Sequence, residues 1–160
     1  MTKHTPKDLS VFHHLVSDMF TWPAMPEEWD LYRLSDEQVN FFKEHGYLAG
    51  IKLLEAPQID QLNGELAEII DPQHPDNSLF YEFYSNSSTD PGSVLFHALG
   101  AWRIKAGFHD ILWNPAFAMA ASQLLGNQDI RFWHDQLFCK PAKHGGVVAW
   151  HQDYSYWTRT

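Results

Sequence analysis

The spacing of apolar side chains changes near Asp129, and this change constrains the fold more than any other feature of the sequence. Before it, apolar residues recur every three to four positions, the spacing of helices that pack one face against a core. From residue 130 to 139, and again from 147 to 153, the spacing is two, which is typical of strands. Helices followed by strands predict an α+β fold.

Local signals place three helices in the first part of the chain. Ser35 and Gln38 form a capping box, and Gly46 is suited to end the same helix in a left-handed conformation. A second helix is expected at 57–70, where apolar residues fall on one face. A third begins after Asn114, a good N-cap residue.

The segments between these helices carry weaker signals. Residues 1–34 are expected to form an irregular N-terminal segment, and residues 35–160 to belong to a single domain. A short strand is expected at 47–51, whereas 71–92 is rich in turn-forming residues and should be mostly loop. The stretch 95–104 fits a strand and a helix equally well.

Charge and composition exclude several classes of partner. The formal net charge of −9 argues against nucleic acid and anionic membrane, because both require a basic face. The single cysteine, Cys139, leaves no intrachain disulfide and favours a reducing compartment. The polar start lacks the apolar stretch of a signal peptide, and no segment approaches the roughly 18 apolar residues that span a bilayer. We therefore expect a cytoplasmic protein with neither nucleic-acid nor membrane partners.

One pair of residues in the second strand-like segment could bind a metal. His151 and Asp153 are two positions apart, so in a strand both side chains point to the same side. An imidazole and a carboxylate placed in this way can serve as neighbouring ligands of iron(II), which two histidines and one carboxylate bind on one face of an octahedron. Such a triplet also arises by chance, and on the triplet alone a histidine hydrogen-bonded to a nearby aspartate is the favoured interpretation.

The sequence around this pair resembles the phytanoyl-CoA dioxygenase family. The resemblance rests on WHDQLFCKP at 133–141, GG at 145–146 and WHQDYSYW at 150–157. The run from 34 to 54 is similar to the N-terminal signature of the same family. Together these stretches cover most of residues 34–157, and 71–100 is the least diagnostic part.

The resemblance implies roles for individual residues. His151 and Asp153 would be two ligands of Fe(II), and Gln136 would help to hold the cosubstrate 2-oxoglutarate. Arg103 is the candidate for a basic residue that reaches the cosubstrate, with Lys105 next, and a solvated surface charge is the alternative for both. Three aromatic residues after the ligands would line the substrate mouth or, alternatively, pack in the core: Tyr154, Tyr156 and Trp157.

The resemblance also implies a fold and a reaction. The expected fold is a double-stranded β-helix, or jelly roll, with the N-terminal helices packed outside it and the barrel incomplete in this chain. The full-length protein is expected to hydroxylate a small organic molecule with dioxygen, Fe(II) and 2-oxoglutarate. Related halogenases lack the carboxylate at the position of Asp153, so its presence favours hydroxylation.

The family also requires a distal histidine ligand and an arginine that pairs with 2-oxoglutarate. Both are expected beyond Thr160, so we expect this chain to be inactive alone and prone to aggregation through unpaired strand edges. Two alternatives remain: a metal-binding jelly-roll protein without oxygenase activity, and a catalytically dead fragment. The distal histidine and arginine distinguish these alternatives from the dioxygenase, and no residue of the sequence selects the substrate.

Overall fold

The computed structural model describes residues 5–153, which form four α-helices, five 3-10 helices and one antiparallel sheet of three strands. The α-helices are α1 (Asp36–His45), α2 (Ala56–Ile69), α3 (Ala106–Asp110) and α4 (Pro115–Leu124). The strands are β1 (Glu82–Tyr84), β2 (Phe96–Leu99) and β3 (Leu137–Cys139). The 3-10 helices are Leu9–Val11, Pro26–Tyr32, Asn77–Leu79, Ala101–Arg103 and Ile111–Trp113. This mixture of helices and an open sheet agrees with the expected α+β class.

The helix ends lie where the local signals place them. The hydroxyl of Ser35 accepts a hydrogen bond from the Gln38 amide at 3.3 Å, and the Gln38 side chain accepts one from the Ser35 amide at 2.9 Å. Gly46 ends α1 with a φ of 78°, the left-handed conformation that glycine adopts without strain. At the start of α4, the Asn114 side chain accepts hydrogen bonds from the amides of Ala116 and Phe117.

The sheet has one face toward the core and one away from it. The strands lie in the order β1-β2-β3, and each neighbouring pair is antiparallel. In the central strand β2, Phe96 and Ala98 are buried against the core, while His97 and Leu99 point to the other face. The second face is therefore available to form the floor of a cavity.

The core lies where the end of α2 meets the sheet and the 3-10 helix Ala101–Arg103. Ile69 and Ala101 are fully buried there, and Ile104 lies beside them. Four partly buried side chains pack against this cluster: Leu79, Phe80, Phe108 and Leu137. Leu137 belongs to β3, so the sheet is tied to the helices through this contact.

The N-terminal segment packs on the rest of the molecule, although it contains only 3-10 helices. The carboxylate of Asp110 accepts hydrogen bonds from the amides of Val16 (2.9 Å) and Ser17 (2.7 Å) and from the Ser17 hydroxyl (2.6 Å). Asp8 forms an ion pair with Arg103. These contacts join residues more than 90 positions apart and fix the segment against α3 and the 3-10 helix beside it.

The structure contains shorter strands than the alternating pattern predicts. Residues 47–51 are irregular, and of the strand expected at 130–139 only β3 forms. Residues 147–153 pair with no strand in the described part of the chain, although a single parallel bridge joins Val94 and Gly145 just before them.

The central strand explains why β3 is short. β2 ends at Leu99 because Gly100 takes a φ of 106° and the chain turns into a 3-10 helix. Residues before β3 therefore have no neighbouring strand to pair with. Instead, the Asp135 carboxylate accepts hydrogen bonds from the amides of Gly100 at 2.7 Å and Trp102 at 3.0 Å.

Across residues 5–153, no helix combines the length and apolar character needed to cross a membrane.

Candidate functional site

A cavity of about 490 Å³ lies between the outer face of the sheet and residues 148–153. The sheet contributes His97 from β2 and Phe138 from β3, and the residue before β3 contributes Gln136. The irregular segment 148–153 contributes the opposite side, with His151 and Asp153. The two expected metal ligands and the expected cosubstrate residue thus line one cavity.

His151 and Asp153 face each other within this cavity. The distance from His151 Nε2 to Asp153 Oδ1 is 3.0 Å. On the other side of the ring, His151 Nδ1 donates a hydrogen bond to the carbonyl oxygen of Ala149 at 2.7 Å, since that oxygen can only accept. This bond and the neighbouring Asp153 carboxylate raise the pKa of His151 above its usual range. The backbone contact therefore turns Nε2 toward the carboxylate.

The geometry of this pair fits a divalent metal ion. Two ligand atoms at a right angle, each roughly 2.1 Å from an ion, lie roughly 3.0 Å apart. The Nε2 to Oδ1 distance has this value. A hydrogen bond from Nδ1 to a carbonyl oxygen is also the usual way in which proteins orient a ligating imidazole. An ion at this point would take the place of the proton between the two side chains.

The described residues supply two ligands of such an ion and not a full set. Within residues 5–153, no group of three or more His, Cys, Asp or Glu side chains is placed to hold a metal. An imidazole and a carboxylate suit Fe(II), with further positions to be filled by another side chain, a cosubstrate or water.

Gln136 is held by a second histidine that the sequence did not indicate. Its side-chain nitrogen lies 3.0 Å from Nε2 of His97. Residues 95–104 fit a strand and a helix equally well in sequence, so the face on which His97 lies could not be assigned. The register of β2 would have identified His97 as a neighbour of the cavity, because residues 97 and 99 share a face only if the segment is a strand.

Arg103, the candidate basic residue for the cosubstrate, lies away from the cavity that His151 lines. Its guanidinium pairs with Asp8, donates to the carbonyl oxygen of Leu79 at 2.6 Å and lies 4.7 Å from the centre of the Tyr81 ring. Hydrogen bonding to Arg103 lowers the pKa of Asp8 to about 2. Lys105 pairs with Glu68. Neither basic side chain lines the cavity of His151, and a cosubstrate role for Arg103 stays a prediction that would require it to leave Asp8.

The aromatic residues expected at the substrate mouth, Tyr154, Tyr156 and Trp157, lie outside the described residues. Their proximity to the cavity stays a prediction.

A larger cavity, of about 570 Å³, lies elsewhere in the molecule. It is bordered by the N-terminal segment, the irregular residues 50–55 and the start of α4. None of the candidate ligand, cosubstrate or substrate residues named from the sequence lines it, and its basic residues Arg33 and Lys52 are paired with Asp30 and Glu55. The smaller cavity is the better candidate because it brings the possible ligands together.

Comparison with known families shows the family to which this sequence is similar. The family model described as phytanoyl-CoA dioxygenase matches residues 42–160. The match begins within α1 and includes every residue named above as lining the smaller cavity. No curated protein matches the sequence.

Proposed function

The chain belongs to the phytanoyl-CoA dioxygenase family, and on this basis we propose that it carries part of the active site of an Fe(II)- and 2-oxoglutarate-dependent hydroxylase. The family generally uses Fe(II) and 2-oxoglutarate. The observation that carries the proposal is the facing pair of His151 Nε2 and Asp153 Oδ1, 3.0 Å apart in a cavity that Gln136 also lines.

In this proposal each residue has one task. His151 and Asp153 hold the metal, and Gln136 contacts 2-oxoglutarate through its amide. When bound, the metal and 2-oxoglutarate supply the oxidising chemistry: one oxygen atom of dioxygen enters a C–H bond of a small organic substrate, the other enters succinate, and carbon dioxide leaves. The Asp153 carboxylate favours hydroxylation, because it fills a position that a halide ion would otherwise take.

The fold of the whole enzyme is part of the same proposal. Residues 35–160 would form the N-terminal portion of a single dioxygenase domain, with the β1-β2-β3 sheet as part of a jelly roll and the helices outside it. The sheet is open, which is consistent with further strands joining it. The third ligand and the arginine for 2-oxoglutarate would come from outside the described residues.

Metal binding by a protein that contains this chain together with the third ligand and the arginine tests the proposal directly. We expect anaerobic Fe(II), or Mn(II) as a redox-stable substitute, to bind the wild type, and His151→Ala and Asp153→Ala each to weaken binding about ten-fold or more, because even residues behind the ligands contribute roughly 10–100-fold. His144→Ala is the matched control, since His144 is exposed and does not line the cavity. Absence of metal binding by the wild type, or an equal loss in the control, would contradict the assignment of the ligands.

Turnover separates the oxygenase from the alternatives. We expect succinate release from 2-oxoglutarate to require both ligand residues and a supply of the third ligand and the arginine. Metal binding by a protein that contains both of these, but never releases succinate, would leave a metal-binding jelly-roll protein. Chlorination of a substrate would show that the role given to Asp153 is wrong.

A further inference from the structure

His97 lies at the centre of a row of three stacked rings on the cavity side of the sheet. In the register of the strands, His97 is directly opposite Tyr84 on β1 and Phe138 on β3. The His97 and Tyr84 rings are 5.8 Å apart at an angle of 13°, and the His97 and Phe138 rings are 4.6 Å apart at 10°. Two nearly parallel rings on either side restrict the rotation of the imidazole.

The contact with Gln136 defines the protonation of this imidazole. An amide nitrogen can only donate, so Nε2 of His97 accepts the 3.0 Å hydrogen bond from Gln136 and the ring proton lies on Nδ1. Burial lowers the pKa of His97, although the charge of Glu82 acts in the opposite direction. The stacked ring is therefore a neutral acceptor.

A neutral acceptor at this point determines how the Gln136 amide is turned. Gln136 is itself exposed, and without a fixed partner its amide could rotate by half a turn at little energetic cost. With one N–H bound to His97, the second N–H and the carbonyl oxygen remain for a ligand of the cavity. Fixing a side chain in its bound orientation raises affinity, since the ligand does not have to order it.

We propose that His97 is a positioning residue that holds the Gln136 amide in one orientation and thereby sets the affinity of the cavity for 2-oxoglutarate. The inference rests on the proposed function for the identity of the ligand. The orientation of the amide by His97 does not depend on it.

The test uses variants that distinguish the stacking of the His97 ring from the hydrogen bond that its Nε2 accepts. His97→Phe keeps an aromatic ring between Tyr84 and Phe138 but removes the acceptor, and Tyr84→Phe is the matched control that keeps both. Calorimetry with the Mn(II)-loaded protein that contains this chain, the third ligand and the arginine measures 2-oxoglutarate binding without turnover. We expect His97→Phe to weaken binding roughly five- to ten-fold and Tyr84→Phe to leave it unchanged. Mn(II) affinity and melting temperature should be unchanged in both variants.

A double-mutant cycle shows whether His97 acts through Gln136. In the Gln136→Ala background, His97→Phe should have no further effect on 2-oxoglutarate affinity. Additive effects of the two substitutions would overturn the inference, as would an unchanged affinity in His97→Phe. A parallel loss of Mn(II) affinity in His97→Phe would also overturn it, because the substitution would then be disturbing the whole site.

Side-chain amide NMR signals of Gln136, identified by their loss in Gln136→Ala, provide a readout on metal-free protein. They should shift in His97→Phe and not in Tyr84→Phe, and unchanged signals would overturn the positioning role. If the signals shift but the wild type binds Mn(II) and no 2-oxoglutarate, the cosubstrate assignment fails and the link to affinity fails with it. If 2-oxoglutarate binds the wild type and His97→Phe equally, only the inference fails.

Discussion

Asp110 shows how single residues hold this molecule together over long stretches of sequence. Its side chain is fully buried, and burial by itself would raise the pKa of the carboxyl group. Hydrogen bonds from Ser17, Val16 and His109 outweigh that effect, so the pKa lies below its ordinary value and the group remains charged. Because two of its three partners are more than 90 residues away, nothing in the sequence around Asp110 indicates this role.

Removing this carboxylate should destabilise the protein strongly. Asp110→Ala leaves the amides of Val16 and Ser17 and the ring of His109 without their acceptor in a buried place. We expect the free energy of unfolding to fall by about 3 kcal/mol or more, measured by urea denaturation. Asp129→Ala is the control, because Asp129 is exposed and should change the free energy by less than about 0.5 kcal/mol. A loss below about 1 kcal/mol for Asp110→Ala would contradict this role.

The ion pair of Asp8 and Arg103 should make stability depend on pH. Hydrogen bonding to Arg103 lowers the pKa of Asp8 from 3.8 to about 2 in the folded chain. Its contribution is therefore complete above pH 3.8 and is lost as the pH falls through about 2. We expect the free energy of unfolding of the wild type to be higher than that of Asp8→Asn by roughly 1–2 kcal/mol at pH 6. Partial exposure of the pair keeps this difference small. The difference should shrink between pH 4 and 2, and a constant difference would contradict the pairing.

The residues of the proposed site differ in how far the sequence reveals them. His151, Asp153 and Gln136 could be named from the sequence because the stretches around them resemble a known family, and all three line one cavity in the structure. His97 could not, because its position depends on pairing between strands that are far apart in the chain. Arg103 is the candidate for a basic residue that the family resemblance implies, and the resemblance does not reveal that Asp8 is beside it.

The helices could be predicted more fully than the strands, because a helix depends on nearby residues and a strand depends on a distant partner. The ends of α1 and α4 depend on hydrogen bonds within four residues, so the cap at Ser35 and the stop at Gly46 can be read from the sequence. A strand requires a partner that the local sequence does not specify. Alternation at 130–139 and 147–153 predicts extended chain, but only β3 lies beside another strand in the described residues.

Two glycines provide a test of how helix α1 ends. Gly46 has a φ of 78°, whereas Gly64 lies inside α2, and an added Cβ would meet no atom within 4 Å at either position. Gly46→Ala should therefore reduce the free energy of unfolding by about 1 kcal/mol, because alanine is strained in the left-handed region. Gly64→Ala should increase it by about 0.5–1 kcal/mol through helix propensity. Urea denaturation of both variants gives the sign of each change in the free energy of unfolding. The same sign for both would contradict the role of the left-handed Gly46 in ending α1.

At the scale of the whole molecule, the α+β class can be predicted from the sequence, because helical spacing of apolar residues is followed by strand-like alternation. The closure of a barrel cannot be predicted in this way. Closure depends on which strands meet at the two edges of the β1-β2-β3 sheet, and that is a property of distant segments. Apolar side chains in the segments before and after β3 are nevertheless exposed in the structure. Trp133, in the irregular chain before β3, is 68% exposed, and Val147, in the irregular segment after it, is 89% exposed.

These exposed side chains should make the isolated 160-residue chain prone to association. We expect its apparent mass in light scattering to rise with concentration. Val147→Lys should reduce association, because it replaces an exposed apolar side chain by a charge. Val11→Lys adds the same charge at another exposed valine, 67% exposed in the N-terminal segment, and should reduce association less. An apparent mass that stays monomeric at every concentration, or an equal effect of the two substitutions, would contradict a role for this segment in association.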